Sequence, residues 1–123
     1  MKFVILTDMH LVQAGRRLYA LDPAARLEGA LAAINREHDD IALLILAGDL
    51  AHCGEQGAYE RLRDRLAASR VPVVLMMGNH DRRGAFRAVF QEADDDGNGF
   101  VQAVRQFDHA TIVTLDKIGR AHV

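Results

Sequence analysis

Polar residues with metal-binding side chains follow three apolar segments of this chain. The first segment is followed by Asp8 and His10, the second by Asp49, and the third by Asn79 and His80. Asp8 and His10 are two residues apart, so in an extended chain both would point to the same side. A carboxylate and an imidazole placed in this way can hold one cation. We therefore predict a metal site at the ends of three strands.

Each residue taken alone also has an ordinary structural explanation. A single Asp after a strand is usually a helix cap or a turn residue, and a single His is more often structural than a ligand. Three successive strand ends with such residues are harder to explain in this way, because a parallel sheet brings those ends to one edge.

The elements that would position these residues are visible as apolar segments and helical patterns. Residues 2–7, 41–47 and 72–77 are short continuous apolar runs, typical of strands covered on both faces. A helical pattern beginning at the N-cap Asp22 and at Pro23 separates the first two runs. A second helical pattern, residues 55–68, precedes the third run. This alternation predicts an α/β fold with parallel strands, and such sheets bind ligands beyond the carboxyl ends of their strands.

The pattern after residue 77 is weaker. Residues 84–92 suit a short helix and residues 110–115 a strand, whereas residues 100–107 suit a helix as well as a strand. Residues 94–99 form a turn-rich loop that resembles the start of a calcium-binding loop. Its twelfth position is Arg105 instead of the required Glu, so we interpret it as a polar surface loop.

Composition limits the functional classes. The chain has 123 residues, half of them hydrophobic, and a formal net charge of −2, which predicts a single domain, residues 1–123. This charge balance does not favour a nucleic acid polymer or an anionic membrane as a partner. The longest apolar runs are far shorter than the roughly 20 residues that cross a bilayer. With a single cysteine, Cys53, these features predict a cytoplasmic protein.

The spaced motifs resemble a known family. Asp8-x-His10, Gly48-Asp49 and residues 78–81 (GNHD) are similar to the first three motifs of the calcineurin-like metallophosphoesterases. Leu18-Tyr19, Asp22 and residues 48–54 resemble the branch that cleaves cyclic nucleotides and glycerophosphodiesters. The similarity covers nearly the whole chain. It implies the N-terminal half of an α/β/β/α sandwich, with a parallel βαβαβ core and a C-terminal hairpin.

The resemblance also implies roles for the five polar residues. Asp8 and His10 would hold the first metal, Asp49 would bridge both metals, and Asn79 would give its carbonyl oxygen to the second. The metals would be two ions of iron, manganese or zinc, between which the sequence cannot choose. His80 would be catalytic, stabilising the transition state or protonating the leaving alkoxide. Such a metal pair activates water and clamps phosphate oxygens for in-line attack.

Further residues are candidates for supporting roles. Asp81 is expected to orient a neighbouring ligand rather than bind metal. Arg82 and Arg83 could reach a phosphate, and His52 could line the pocket.

One part of the family pattern is missing. Relatives use later histidines, including a Gly-His-x-His motif, and none of the remaining histidines matches them: His38, His52, His109 and His122. The chain is therefore expected to be truncated, with fewer protein ligands for the second metal. The leading hypothesis is metal-dependent hydrolysis of a small phosphodiester, either a cyclic nucleotide or a glycerophosphodiester. The alternatives are an incomplete fragment that binds metal or phosphate without turnover, and an interaction module or homo-oligomer that uses an open sheet edge.

Overall fold

The computed structural model describes residues 1–13, 21–37, 40–93, 97 and 100–116. The predicted calcium-like loop, apart from Gly97, lies outside these residues, as do Leu18-Tyr19, His38 and His122. The described elements follow in the order β1 (Lys2–Leu6), α1 (Pro23–Glu37), β2 (Ile41–Ala47), α2 (Gln56–Leu66), β3 (Val73–Met76), α3 (Arg83–Val89), β4 (Ala103–Phe107) and β5 (Ala110–Thr114).

Strands β1, β2 and β3 form a parallel sheet with β2 in the centre. Leu6 is paired with Leu46, and Ala47 is paired with Met76, so the carboxyl ends of the three strands lie side by side. This arrangement confirms the predicted parallel βαβαβ core. It also brings the residues after each strand to one edge of the sheet.

The helices cover one face of this sheet. Helix α1 buries Leu27, Leu31 and Ile34 against it, and helix α2 buries Tyr59 and Leu62. These residues recur every three or four positions, as expected for helices with one apolar face. Asp22 caps α1 as predicted, since its Oδ1 accepts a hydrogen bond from the Ala25 amide at 3.4 Å.

A hairpin of β4 and β5 covers part of the opposite face. Phe107 and Ile112 pack beside the buried residues Leu43, Ile45 and Val74. Exposure alternates along β4, which is the periodicity of a strand with one face against a core. The hairpin settles the ambiguity of residues 100–107 and confirms the predicted C-terminal hairpin. Within the described residues, none of the helices is long and apolar enough to cross a membrane.

Candidate metal centre

The predicted ligand loops follow β1, β2 and β3, and the first two of them contain an unusual concentration of left-handed backbone. Asp8, His10 and Asp49 have φ angles of 58°, 49° and 49°, in a region that residues with side chains rarely adopt. Such conformations cost on the order of 1–3 kcal/mol each and cluster at functional sites. They also correct one prediction. Strand β1 ends at Leu6, so Asp8 and His10 meet through a tight loop and not through the alternation of an extended chain.

Backbone hydrogen bonds hold the first loop against the second. The amide of His10 donates to the carbonyl of Asp49 at 2.9 Å, and the amide of Leu11 donates to the carbonyl of Leu50 at 2.9 Å. The His52 amide returns a bond of 2.9 Å to the Leu11 carbonyl. Asp8, His10 and Asp49 are therefore positioned by a network that continues the β1–β2 pairing beyond the strands.

The side chains of Asp8, His10 and Asp49 converge on one point. His10 Nε2 lies 3.7 Å from Asp8 Oδ1 and 4.0 Å from Asp49 Oδ2, and the ligand atoms of all three lie within 4.8 Å of one another. Within the described ranges neither carboxylate pairs with a lysine or an arginine. Two carboxylates and an imidazole without a cationic side chain between them fit a bound metal ion.

The third loop meets the second through Asp49. Its Oδ1 accepts a hydrogen bond of 3.0 Å from the His80 amide, which leaves Oδ2 facing His10. Two glycines make the approach possible for different reasons. Gly48 has a φ of 89°, which supports the predicted turn. Gly78 is not left-handed; a Cβ there would lie 2.4 Å from the Asp49 amide nitrogen, so this glycine is needed for space.

Asn79 follows Gly78 in the loop after β3. It is exposed, and with Asp49 it lines an open cavity of about 390 Å³. Asp49 is therefore a member of the group containing His10 and also lines the cavity to which Asn79 contributes.

Three imidazoles, one from each of the three predicted ligand loops, form a cluster. The His10, His52 and His80 rings have centroids 4.9–5.3 Å apart, and the Nδ1 atoms of His10 and His52 are 3.3 Å apart. His80 Nδ1 lies 2.7 Å from the carbonyl oxygen of His52. A carbonyl can only accept, so Nδ1 carries the proton and Nε2 is the ring nitrogen left for other partners. Each of the three rings can offer one nitrogen to a shared cation.

The buried carboxylate of Asp81 accepts hydrogen bonds from the loop after β2 and from the loop after β3. Its Oδ2 accepts from the amides of Leu50 and Gly78, at 3.0 and 2.9 Å. Its Oδ1 accepts from the Ala51 amide at 2.9 Å and from the Tyr59 hydroxyl at 2.8 Å. This arrangement is what the predicted orienting role of Asp81 requires.

Tyr59 is a site residue that the sequence analysis missed, because its position on the buried face of α2 is explained by packing alone. Its hydroxyl donates to Asp81 and accepts from the Arg82 amide at 3.0 Å. Burial, followed by the negative charge of Asp81, raises the pKa of Tyr59. A signal was available, since a buried tyrosine hydroxyl usually needs a partner.

Arg82 and Arg83, which follow Asp81 in the chain, have different environments. Arg82 is exposed at the start of α3. Arg83 forms a double hydrogen bond with the buried carboxylate of Asp116, at 2.7 and 3.1 Å. The expectation that Arg83 could reach a phosphate is wrong, because its guanidinium is held by Asp116, which follows β5.

Sequence comparison with known proteins identifies the family of the chain. The sequence profile of the calcineurin-like phosphoesterases matches residues 1–122. The chain therefore belongs to the calcineurin-like phosphoesterase family.

Its relatives have related names. The chain is 58% identical over 121 residues to a probable cyclic nucleotide phosphodiesterase of Rhodopseudomonas palustris, covering 98% of this chain and 44% of the relative. It is 33% identical over 123 residues to a probable cyclic nucleotide phosphodiesterase of Rhodococcus erythropolis, covering 97% and 40%. It is 33% identical over 92 residues to the 3′,5′-cyclic adenosine monophosphate phosphodiesterase of Pseudomonas aeruginosa, covering 74% and 34%. The chain thus spans less than half the length of these relatives, at their N-terminal portion.

Proposed function

We propose that this chain supplies the strand-end ligands of a binuclear phosphodiesterase that hydrolyses a cyclic nucleotide. The observation that carries the proposal is the convergence of Asp8, His10 and Asp49 within 4.8 Å of one another at the end of a parallel sheet. The names of the relatives favour a cyclic nucleotide over the glycerophosphodiester that the sequence motifs also allowed.

The convergence of Asp8, His10 and Asp49 supports the first part of the proposed ligand assignment, and the family resemblance supports the part that involves Asn79. Asp8, His10 and Asp49 would hold one ion, and Asp49 with Asn79 would hold a second. When bound, the two ions would supply Lewis-acid stabilisation of the phosphate and activation of the attacking water. Carboxylate, amide and imidazole donors suit iron, manganese and zinc, and the assignment of two ions is itself part of the proposal.

His80 is the proposed proton donor to the leaving oxygen. Its Nδ1–H donates to the His52 carbonyl, so the doubly protonated ring would present Nε2–H to the leaving oxygen and would become the neutral Nδ1–H form after transferring that proton. The hydrogen bond fixes the orientation of the ring, which general acid catalysis needs. His52 would act here by holding His80 in place through its backbone.

An alternative is binding without turnover. It is favoured by one observation: in the described residues, the second ion would have only Asp49 and Asn79 as ligands. This alternative predicts metal or phosphate binding with no hydrolysis.

The test is hydrolysis of bis(p-nitrophenyl) phosphate with Mn²⁺, comparing the unmodified chain with Asp49→Ala and His80→Ala. We expect loss of metal-dependent hydrolysis in Asp49→Ala and a decrease of about 10²–10⁴-fold in His80→Ala. Asp40→Ala is the matched control, because Asp40 is an exposed carboxylate paired with Lys2. Equal background rates in all four proteins would contradict the enzymatic proposal. Calorimetry with Mn²⁺ would then distinguish binding without turnover from no metal binding.

The remaining expectations accompany this proposal as predictions. They are a cytoplasmic location, a small phosphodiester rather than a nucleic acid polymer as substrate, and the absence of a membrane partner.

A further inference from the structure

A cavity of about 450 Å³ lies between the end of β1 and the first half of α1. Asp8, His10 and His52 line one side of it, so it opens directly beside the proposed metal centre. Its volume is in the range of cavities that enclose a small organic ligand.

The rest of the cavity wall is mostly apolar. Leu6 and Met9 contribute from the end of β1, and Leu27 and Ala30 contribute from α1. Phosphate and metal ions gain nothing from such a wall, whereas a planar heterocycle gains by leaving water. A small polar group such as glycerol would gain much less.

One cation lines this cavity among its described residues. Arg26 lies on α1, is exposed, and has no ion-pair partner within the described part of the chain. Its guanidinium can donate several hydrogen bonds in a plane, to a phosphate or to the edge of a base. The cavity therefore combines an apolar wall, an exposed arginine and access to the carboxylate of Asp8.

We propose that this cavity binds the nucleoside group of a cyclic nucleotide whose phosphate lies at the metal centre. Leu27 and Ala30 contact the base, and Arg26 provides hydrogen bonds at the cavity wall. This inference rests on the proposed phosphodiesterase function. It names the residues that favour binding of a nucleoside over a small polar alcohol as the group attached to the phosphate.

The test is a substitution on α1 that fills part of the cavity. Ala30→Leu adds bulk to the wall, and Ala32→Leu makes the same change at an exposed position on the same helix. Binding of adenosine 3′,5′-cyclic phosphorothioate, which resists hydrolysis, is measured by calorimetry with Mn²⁺ present. We expect at least about 10-fold weaker nucleotide binding in Ala30→Leu, because the site loses its apolar volume. Ala32→Leu should bind as the unmodified chain does, and Mn²⁺ affinity should be unchanged in both variants.

A second pair of variants covers the case in which Ala30→Leu fails to fold. Arg26→Gln should weaken nucleotide binding several-fold, whereas Arg36→Gln, at the exposed end of α1, should not. Circular dichroism establishes which variants are folded.

Two results would overturn the inference. One is unchanged nucleotide affinity in folded Ala30→Leu, or in Arg26→Gln if Ala30→Leu does not fold. The other is an unmodified chain that binds the phosphorothioate no more tightly than glycerophosphoethanolamine. Failure of the proposed function has a different signature, namely absence of Mn²⁺-dependent hydrolysis of bis(p-nitrophenyl) phosphate. A chain that hydrolyses this ester but shows no effect of Ala30→Leu would lose only the inference about the cavity.

Discussion

Asp81 has more influence on the candidate site at the scale of single residues than its position suggests. It touches no proposed substrate atom, yet its two oxygens accept four hydrogen bonds from two loops and from Tyr59. Each oxygen accepts two of them. A buried carboxylate with this many donors is stabilised in its charged form and holds the loops that carry Asp49 and Asn79.

Asp81→Asn should destabilise the fold in either orientation of the new amide. Whichever way it points, its NH₂ group faces two N–H or O–H donors and leaves them without an acceptor. We expect a loss of roughly 2–4 kcal/mol in the free energy of unfolding, measured by urea denaturation, since each unsatisfied buried group costs about 1–3 kcal/mol. Asp64→Asn, at an exposed position on α2, is the control and should change stability by less than about 0.5 kcal/mol. Equal stabilities of the two variants would contradict the assigned hydrogen bonds.

Tyr59→Phe tests the hydroxyl that joins this network to α2. Removing it leaves the Arg82 amide without an acceptor and Asp81 with one donor fewer, and should cost about 1–3 kcal/mol near neutral pH. The raised pKa of Tyr59 sets the sign of the pH dependence. Above the ordinary tyrosine pKa of about 10, only the unfolded chain ionises this residue.

The advantage of the unmodified chain over Tyr59→Phe should therefore be complete below pH 10 and should shrink as the pH rises further. Denaturation of both proteins from pH 7 to pH 11 measures this difference, and subtraction removes the contribution of all other groups. A difference that stays constant or grows above pH 10 would show that Tyr59 is not buried beside Asp81.

At the scale of elements, the site depends on how closely the β2 and β3 ends approach. Gly78 sits where the third loop passes Asp49, and a methyl group there would meet the Asp49 backbone and carboxylate. The two loops could not keep their present separation with any larger residue at this position. Gly29, inside α1, has no atom within 4 Å of an added Cβ.

Two alanine substitutions should consequently have opposite effects. Gly78→Ala should lower the free energy of unfolding by roughly 1–3 kcal/mol and weaken Mn²⁺ binding, because the loops must separate. Gly29→Ala should raise stability by about 0.5–1 kcal/mol, since alanine favours a helix more than glycine does. Thermal unfolding and calorimetry provide both readouts. Unchanged Mn²⁺ affinity in Gly78→Ala would mean that the loop approach does not position the ligands.

At the scale of the whole molecule, apolar side chains remain exposed on the hairpin side. Val104 and Val113 are opposite each other on β4 and β5 and are 56% and 59% exposed, and Ile5 on β1 is 64% exposed. Apolar surface beside a sheet edge favours association. These three residues therefore define the surface through which the predicted interaction module or homo-oligomer would associate.

Val104→Lys combined with Val113→Glu should reduce self-association. The two charges face each other across the hairpin, so they replace apolar surface while keeping a favourable cross-strand pair. Sedimentation velocity at increasing concentration should show association of the unmodified chain and a shift towards monomer in the double variant. Ala25→Lys, on the exposed side of α1, is the control. A monomeric unmodified chain at every concentration would remove this prediction.

The sequence by itself determined the parallel core and the identity of the candidate ligands. Apolar runs with helical patterns between them predicted β1, β2 and β3, because such short runs are typical of strands in a buried parallel sheet. Strand β2 is buried in this way, whereas Ile5 of β1 is exposed. Polar residues after each run, preceded by a glycine after the second and third runs, predicted where the metal ligands would lie.

Only the tertiary structure decided how those residues meet. The left-handed conformations of Asp8 and His10 depend on hydrogen bonds to the next loop, and periodicity contains no information about such long-range bonds. The roles of Gly78 and Tyr59, and the pairing of Arg83 with Asp116, depend likewise on contacts between segments distant in sequence. Local propensity predicts elements, whereas close packing of loops from different elements determines the geometry of a site.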